Sequence, residues 1–333
     1  KALTLEINKP DGNLEREAAD KAVEDLNSKI DEALIRVEKS VRADDNSTAI
    51  NTWTADKVIY IPTTNDVQKS FEDYLVDVGR RAQEKKLKPG EEAKIDENGH
   101  VQVSGQVAVQ AINARISKII FDKNPNREFY VEESFPHDWM YPYLEPNGLI
   151  MKINREPLAE LSDDIVQKDH DYWQTRVNAW IGNWLTDETP VGTVTDFAEK
   201  VYARKDLSGF TGDAGFIQDS EAQKMFSKWR DSIAGVYAWR AGIGPAELPP
   251  EYAPKSDAAK QRMAKAADFA FKQAFALCPS SPETVFRYVD FLMKEGRKTD
   301  ALTVAHAAAK IDPKNEIFHQ LEKNLSNPST VFK

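Results

Sequence analysis

The stretch EFYVEESFPHDWMYPYLEPNGLIMKINR, residues 128–155, carries the densest run of aromatic side chains in the chain and decides how the fold is read. Glu128–Glu133 sets acidic residues around Phe129, Tyr130 and Val131, and Gly148–Asn154 is a short apolar run opened by glycine, so both ends read as strands. Between them, Pro136, Pro142 and Pro146 forbid a long helix. Phe135, Trp139, Met140, Tyr141, Tyr143 and Leu144 are nonetheless too apolar for a freely solvated loop. The segment therefore reads as an ordered loop packed on its own domain, with a cleft beside it as the alternative. Glu132, Glu133, His137 and Asp138 have the side chains that serve as acids, bases or metal ligands. Trp139, Tyr141 and Tyr143 alternate along a stiffened segment and have faces suited to stacking on a sugar or clamping a peptide. These residues form the candidate ligand-binding set, and no catalytic, cofactor-binding or metal role is assigned to any residue. The preferred competing reading has the charges solvating strand ends and the rings closing a core beneath Phe129 and Ile150.

Toward the N-terminus, Ala93–Ile95 and Val101–Val103 flank Asp96-Glu97-Asn98-Gly99, and Asn-Gly is the strongest hairpin signal in the chain. The expectation is a tight turn with positive φ at Asn98-Gly99. A helix over 107–121 follows, with Val109, Ile112, Ile116, Ile119 and Ile120 as its core-facing stripe. Before the hairpin, KVIYI (57–61) reads as a strand ended by Pro62, and Thr63–Asp66 caps a helix running to about Lys86. A strand leading into a capped helix is the geometry of anion sites, but no glycine-rich loop stands there. Together these elements predict a small α/β domain over residues 55–160. Residues 1–54 form an N-terminal part: a strand at Lys1–Ile7, a long amphipathic helix over Asn13–Arg42 and a polar linker from Ala43 to Thr54.

From Ser162 the apolar period becomes helical, over 163–185 and again over 194–202. Asp169-His170-Asp171 has ligand chemistry, but consecutive helix residues diverge by about 100° and cannot converge on one ion. Leu207–Phe216 is rich in glycine yet lacks a dinucleotide or phosphate-loop spacing, so it reads as an interhelix connection. Near the end, Pro279 and Pro313 are one repeat apart, and each is preceded at equal offsets by small residues: Ala267 and Ala274, then Ala301 and Ala308. With Leu292 and Gly296, the unit 282–315 resembles the tetratricopeptide repeat, whose small residues let paired helices approach closely. Ala258–Pro279 and Ser227–Arg240 supply the preceding helix pair, and Glu316–Leu325 the terminal capping helix. The fold class expected is α+β: a small α/β domain followed by an α-helical TPR-like solenoid over 161–333.

Composition bounds the function. The 333 residues are 41% hydrophobic, enough for real cores, and no run approaches the roughly 18 apolar residues of a membrane span. A net charge of −10 opposes binding to nucleic acid or anionic lipid, and no strong basic patch counters it. The single cysteine, Cys278, sits among apolar neighbours and reads as a packing thiol.

VIYIPTTNDVQKSF, VQVSGQVAVQAIN, IIFDKNPNREFYVEESFPHDWMYPYLEPNGLIMKINREPL, SIAGVYAWR and FAFKQAFALCP resemble the soluble C-terminal portion of a bacterial family. Its members are large multi-span membrane proteins similar to protein O-mannosyltransferases, often ending in tetratricopeptide repeats. The likeness runs from about Lys57 to Lys310. It implies a non-catalytic extracytoplasmic (periplasmic) recognition or scaffold domain, tethered to a membrane-embedded portion or subunit, with a protein or peptide partner on the helical repeats. It transfers no catalytic residue and no cofactor, and implies neither nucleic-acid binding nor membrane insertion by this chain. The alternative is a stand-alone TPR-containing assembly subunit that binds protein partners.

Overall fold

Thr63 fixes the start of the first described helix. Its hydroxyl accepts the N–H of Asp66 (3.2 Å), and the Asp66 carboxylate accepts the N–H of Thr63 (2.7 Å), a reciprocal cap for α1 (Thr64–Gln83). The computed structural model describes residues 59–132, 136–244 and 246–327. The chain divides at Ile61 and Pro62, and the elements below belong to the unit from Pro62 onward. The expected strand, long helix and linker of residues 1–54 lie outside the described residues, as do Lys57 and Val58. Ile59–Ile61 form no strand, a correction to the expectation for 57–61: neither of the two sheets takes them as a neighbour, and Ile59 and Ile61 are exposed.

The hairpin stands where Asn98-Gly99 placed it. β1 (Glu92–Ile95) pairs antiparallel with β2 (Val101–Ser104), Ile95 opposite Val101. Of the turn residues only Gly99 has positive φ, at 83°. The N–H of Gly99 donates to the carbonyl of Asp96, and the N–H of Asp96 to that of His100, both at 3.0 Å. This is a three-residue loop with glycine in the left-handed position, rather than a two-residue turn. The Asp96 carboxylate explains the choice, because it accepts the N–H groups of both Asn98 and His100 at 2.8 Å and holds Asn98 in an ordinary conformation.

α2 (Gly105–Lys123) follows and serves two cores. Ala108 packs with Tyr74 and Val78 of α1 in a small cluster, with Val101 and Val103 of the hairpin against it. At Gly79 a Cβ would come within 2.8 Å of a Val101 methyl, so glycine lets the β2 side chain seat directly on the backbone of α1. Glu91 is buried beneath this cluster and accepts from Tyr74 Oη (3.0 Å), Arg81 and the Lys88 N–H (2.9 Å). The expected apolar stripe of α2 holds in part: Ile112 packs half-buried against this cluster, but Val109 is exposed, Ile116, Ile119 and Ile120 are half-buried, and the fully covered positions are Ala108 and Phe121. The bulk of Tyr74 demands a small residue opposite, and Ala108 fits where a branched side chain would not.

Phe121 belongs to the larger core. That core also holds Leu144 of β4 (Leu144–Asn147) and Met151 and Ile153 of β5 (Ile150–Ile153). β3 (Phe129–Val131), β5 and β4 form an antiparallel sheet in that order. β4 is an edge strand, the position that tolerates Pro146. The same core continues through α3 (Asp163–Ile181), α4 (Val191–Ala198, followed by a π turn, Glu199–Ala203), α6 (Ser220–Arg240), α7 (Asp257–Leu277), α8 (Pro282–Lys294), α9 (Lys298–Ile311) and α10 (Glu316–Ser326). A short α5 (Ala214–Gln218) begins inside the glycine-rich stretch that read as a connection.

Sequence chemistry sets these helix limits. Ser162, Ser256, Ser281 and Asn315 each accept a first-turn N–H, and α3 stops at Gly182, whose φ is 89°. α7 to α10 are joined by connections so short, 278–281, 295–297 and 312–315, that successive helices run antiparallel. Ala267, Ala274, Ala301 and Ala308 are all fully buried, and Gly296 makes its turn with φ of 73°. One buried polar network ties α3, α6 and α7 together. Arg230 donates to Asp169 and to Gln273, each at 2.7 Å, and Tyr237 donates to Asp169 at 2.8 Å. Among the described residues the chain is thus α+β, predominantly helical, with two small antiparallel sheets.

Candidate functional site

α8 and α10 are amphipathic, and their two faces have different fates. On α8, Val285, Tyr288, Val289 and Leu292 point to the core. Phe286, Arg287, Asp290 and Met293 line the opposite side. On α10, Phe318, Leu321 and Leu325 are core, whereas Glu316, Ile317, Gln320 and Asn324 face out beside them. Gly235 and Ala238 of α6 form the floor between these two walls. The result is a groove of about 740 Å³ bounded by α6, α8 and α10, with Ile243 and Gly244 at one end.

Its surface is mainly apolar, and part of that apolar surface is uncovered: Phe286 is 38% exposed and Ile317 55%. Contiguous apolar surface of this kind, rimmed by polar groups, is what marks a binding groove on a folded protein. The polar rim is ordered. Asp290 pairs with Lys294 one turn on (2.8 Å), and the Gln320 amide donates to Asn324 Oδ1 (2.6 Å).

At the floor, the guanidinium of Arg287 lies over Gly235, where any Cβ would collide with its Nη2. Arg287 Nη1 donates to Asp231 Oδ2 at 2.6 Å, and Asp231 is wholly buried. Burial pushes the Asp231 carboxyl up to about 6, against the pull of the Arg287 charge and with the help of Glu283. Glycine at 235 is therefore required for close approach: it admits the arginine that partners the buried carboxylate.

The residues singled out by the sequence lie elsewhere and go to different places. Trp139 and Tyr143 pack on Phe121 with ring centroids 5.2 and 5.7 Å away, and on each other at 6.1 Å. Lys118 lies over all three rings, and the Trp139 indole donates to Ser117 Oγ (3.1 Å). Tyr141 is turned the other way, 2% exposed, against Trp239 at 5.3 Å, and burial raises its hydroxyl pKa. His137 is half-buried, and desolvation lowers its pKa despite the nearby Asp138. Asp138 is exposed and pairs with Lys88 at 2.8 Å. Glu132 accepts from the Trp229 indole at 3.2 Å, and Glu133 lies outside the described residues. Structure brings Trp139 and Tyr143 together, and of the described acids Glu132 bonds to Trp229 and Asp138 to Lys88 rather than to either ring.

The Asp169-His170-Asp171 triplet diverges as helix geometry requires. Asp169 enters the buried network, His170 lies edge-on to Tyr237 and Phe269, and Asp171 accepts from Gln167. Among the described residues no group of three or more His, Cys, Asp or Glu side chains is placed to hold a metal ion.

Sequence reasoning did not find the groove residues individually. A signal was present: Phe286 on α8 and Ile317 on α10 are apolar residues that stand off the core-facing stripe of their helices. In comparison with known proteins, no protein-family model, no curated protein and no solved structure matches this chain, so its function is argued from the groove itself.

Proposed function

We propose that the helical part of this chain is a recognition module of the TPR kind that takes a polypeptide segment into the groove between α6, α8 and α10. One observation carries the reading: an open groove of about 740 Å³ in which Phe286 and Ile317 remain uncovered while Val285, Tyr288, Leu292, Phe318 and Leu325 of the same two helices are closed into the core. Stacked helix pairs use such concave faces to bind extended partners. The 34-residue spacing of Pro279 and Pro313 and the burial of Ala267, Ala274, Ala301 and Ala308 support the repeat reading. Two of the groove's three charged groups have structural partners, Arg287 with Asp231 and Asp290 with Lys294, an arrangement suited to recognition rather than to proton transfer.

In this reading the resemblance of residues 57–310 to O-mannosyltransferase-like membrane proteins gives the module its setting. It is a non-catalytic extracytoplasmic domain that presents acceptor polypeptide to a membrane-embedded glycosyltransferase-like partner. No helix among the described residues is long and apolar enough to cross a membrane, so the span itself belongs to that partner portion in this proposal.

The test is selection from a random-peptide phage library on the intact chain, followed by calorimetric titration of the selected peptides. Wild type should bind them, and the F286A/I317A double variant should lose at least about tenfold in affinity, roughly 1.4 kcal/mol. Failure to select any peptide, or equal affinity in the double variant, contradicts the proposal.

A further inference from the structure

The groove's electrostatics specify more than an apolar ligand. We infer that the segment it takes is cationic as well as apolar, carrying lysine or arginine between its apolar side chains. This inference rests on the groove being a polypeptide site and adds the chemical class of its occupant.

Three charged side chains line the groove: Arg287, Asp290 and Glu316. Arg287 is the one cation among them, and its charge is met at the floor by the buried carboxylate of Asp231. Carboxylates therefore set the sign of the two walls, Asp290 on α8 and Glu316 on α10. Asp290 is 56% exposed at its side chain and its tie to Lys294 is a surface pair, which leaves most of its field in solvent and available to a ligand. With Arg287 paired to Asp231 beneath the floor and Lys294, outside the lining, paired to Asp290, the carboxylates of Asp290 and Glu316 leave the excess of the lining acidic. An anionic peptide would meet like charges on both walls, and repulsion of that kind discriminates between partners more strongly than attraction alone.

The hydrogen-bonding rim suits a main chain laid along α10. Gln320 and Asn324 are bonded to each other through one amide oxygen and one NH₂ group. The Gln320 Oε1 and the Asn324 NH₂ are an acceptor and a donor one helical turn apart on the same wall. The apolar contacts at Phe286 and Ile317 then supply affinity, and the carboxylates supply charge selection.

Fluorescence anisotropy on the intact chain tests this, with labelled synthetic peptides that share one set of apolar residues and carry lysine, glutamine or glutamate at the same intervening positions. The lysine peptide is expected to bind at least about tenfold tighter than the glutamate peptide at about 50 mM salt, with the gap closing toward about 500 mM. The D290N/E316Q variant should narrow the gap between the lysine and glutamate peptides at low salt. Equal binding of all three peptides overturns the charge assignment and leaves the groove reading standing. Binding of none overturns both. A concentration-dependent dimer in sedimentation, abolished by I317A, would assign the groove to a second copy of the chain and overturn the inference as well.

Discussion

Two apolar regions of this molecule stand in contrast, and the contrast separates structure from function. The aromatic segment 136–144 is the most conspicuous stretch of the sequence, yet its rings are turned inward: Tyr141 against Trp239, Trp139 and Tyr143 against Phe121. The groove of α6, α8 and α10 is inconspicuous in sequence, yet it leaves Phe286 and Ile317 in solvent. Aromatic density thus reports the need to close a core, because large flat side chains stabilise most when buried. An apolar residue standing off the stripe of an amphipathic helix reports a surface kept open. The difference is where each residue sits relative to its element's period, and not how apolar it is.

The comparison can be broken most forcefully at Tyr141. If the aromatic segment is core, Tyr141→Ala should cost about 3–5 kcal/mol of stability, as for other large-to-small changes at fully buried aromatic sites. A melting temperature within a degree or two of wild type would show that the ring contributes little to closure and would reopen the segment as a binding surface.

Acid sharpens the comparison by loosening one end of the molecule. Hydrogen bonds from Arg81, with help from the Lys88 N–H and Tyr74, hold the buried Glu91 carboxyl down to about 2 from its ordinary 4.5. A carboxyl with a depressed folded-state pKa contributes stability above its unfolded value and loses it as pH falls toward the folded value. The contribution, about 3 kcal/mol at neutral pH, should disappear between about pH 4.5 and pH 2. Glu91→Gln should flatten that part of the stability curve. An unchanged acid limb in the variant would show that Glu91 does not anchor the α1 and hairpin end.

A smaller effect is expected on the helix faces that the groove leaves behind. Ala308 is fully buried at a close approach between helices, so Ala308→Leu should overpack it by about 1–3 kcal/mol. Unaltered thermal stability in that variant would count against the close-packed repeat.

Sequence and structure agree where a local rule has one physical solution. Asn98-Gly99 had to turn, Thr63 had to cap, and the paired alanines before Pro279 and Pro313 are buried as their spacing implied. They part where a tertiary neighbour decides. The stripe of α2 shifted to Ala108 because Tyr74 occupies the space above it, and β4 formed through Pro146 because the edge of a sheet asks no N–H of that residue. Asp96 changed the turn type through two side-chain bonds. The groove belongs with these: Gly235 reads as an interruption of α6 until Arg287 is seen to lie across it.

The central claim, that the groove recognises and the aromatic segment supports, is tested most directly by one paired measurement. Melting temperature and peptide affinity should be determined together for Trp139→Ala and Phe286→Ala. The account predicts that Trp139→Ala, which removes a ring packed on Phe121 and Tyr143, lowers the melting temperature and leaves the affinity of the folded fraction unchanged. Phe286→Ala, at a partly exposed site, should keep the melting temperature near wild type and lose about tenfold or more in affinity. The reverse pattern, with binding lost at Trp139 and kept at Phe286, would contradict the account.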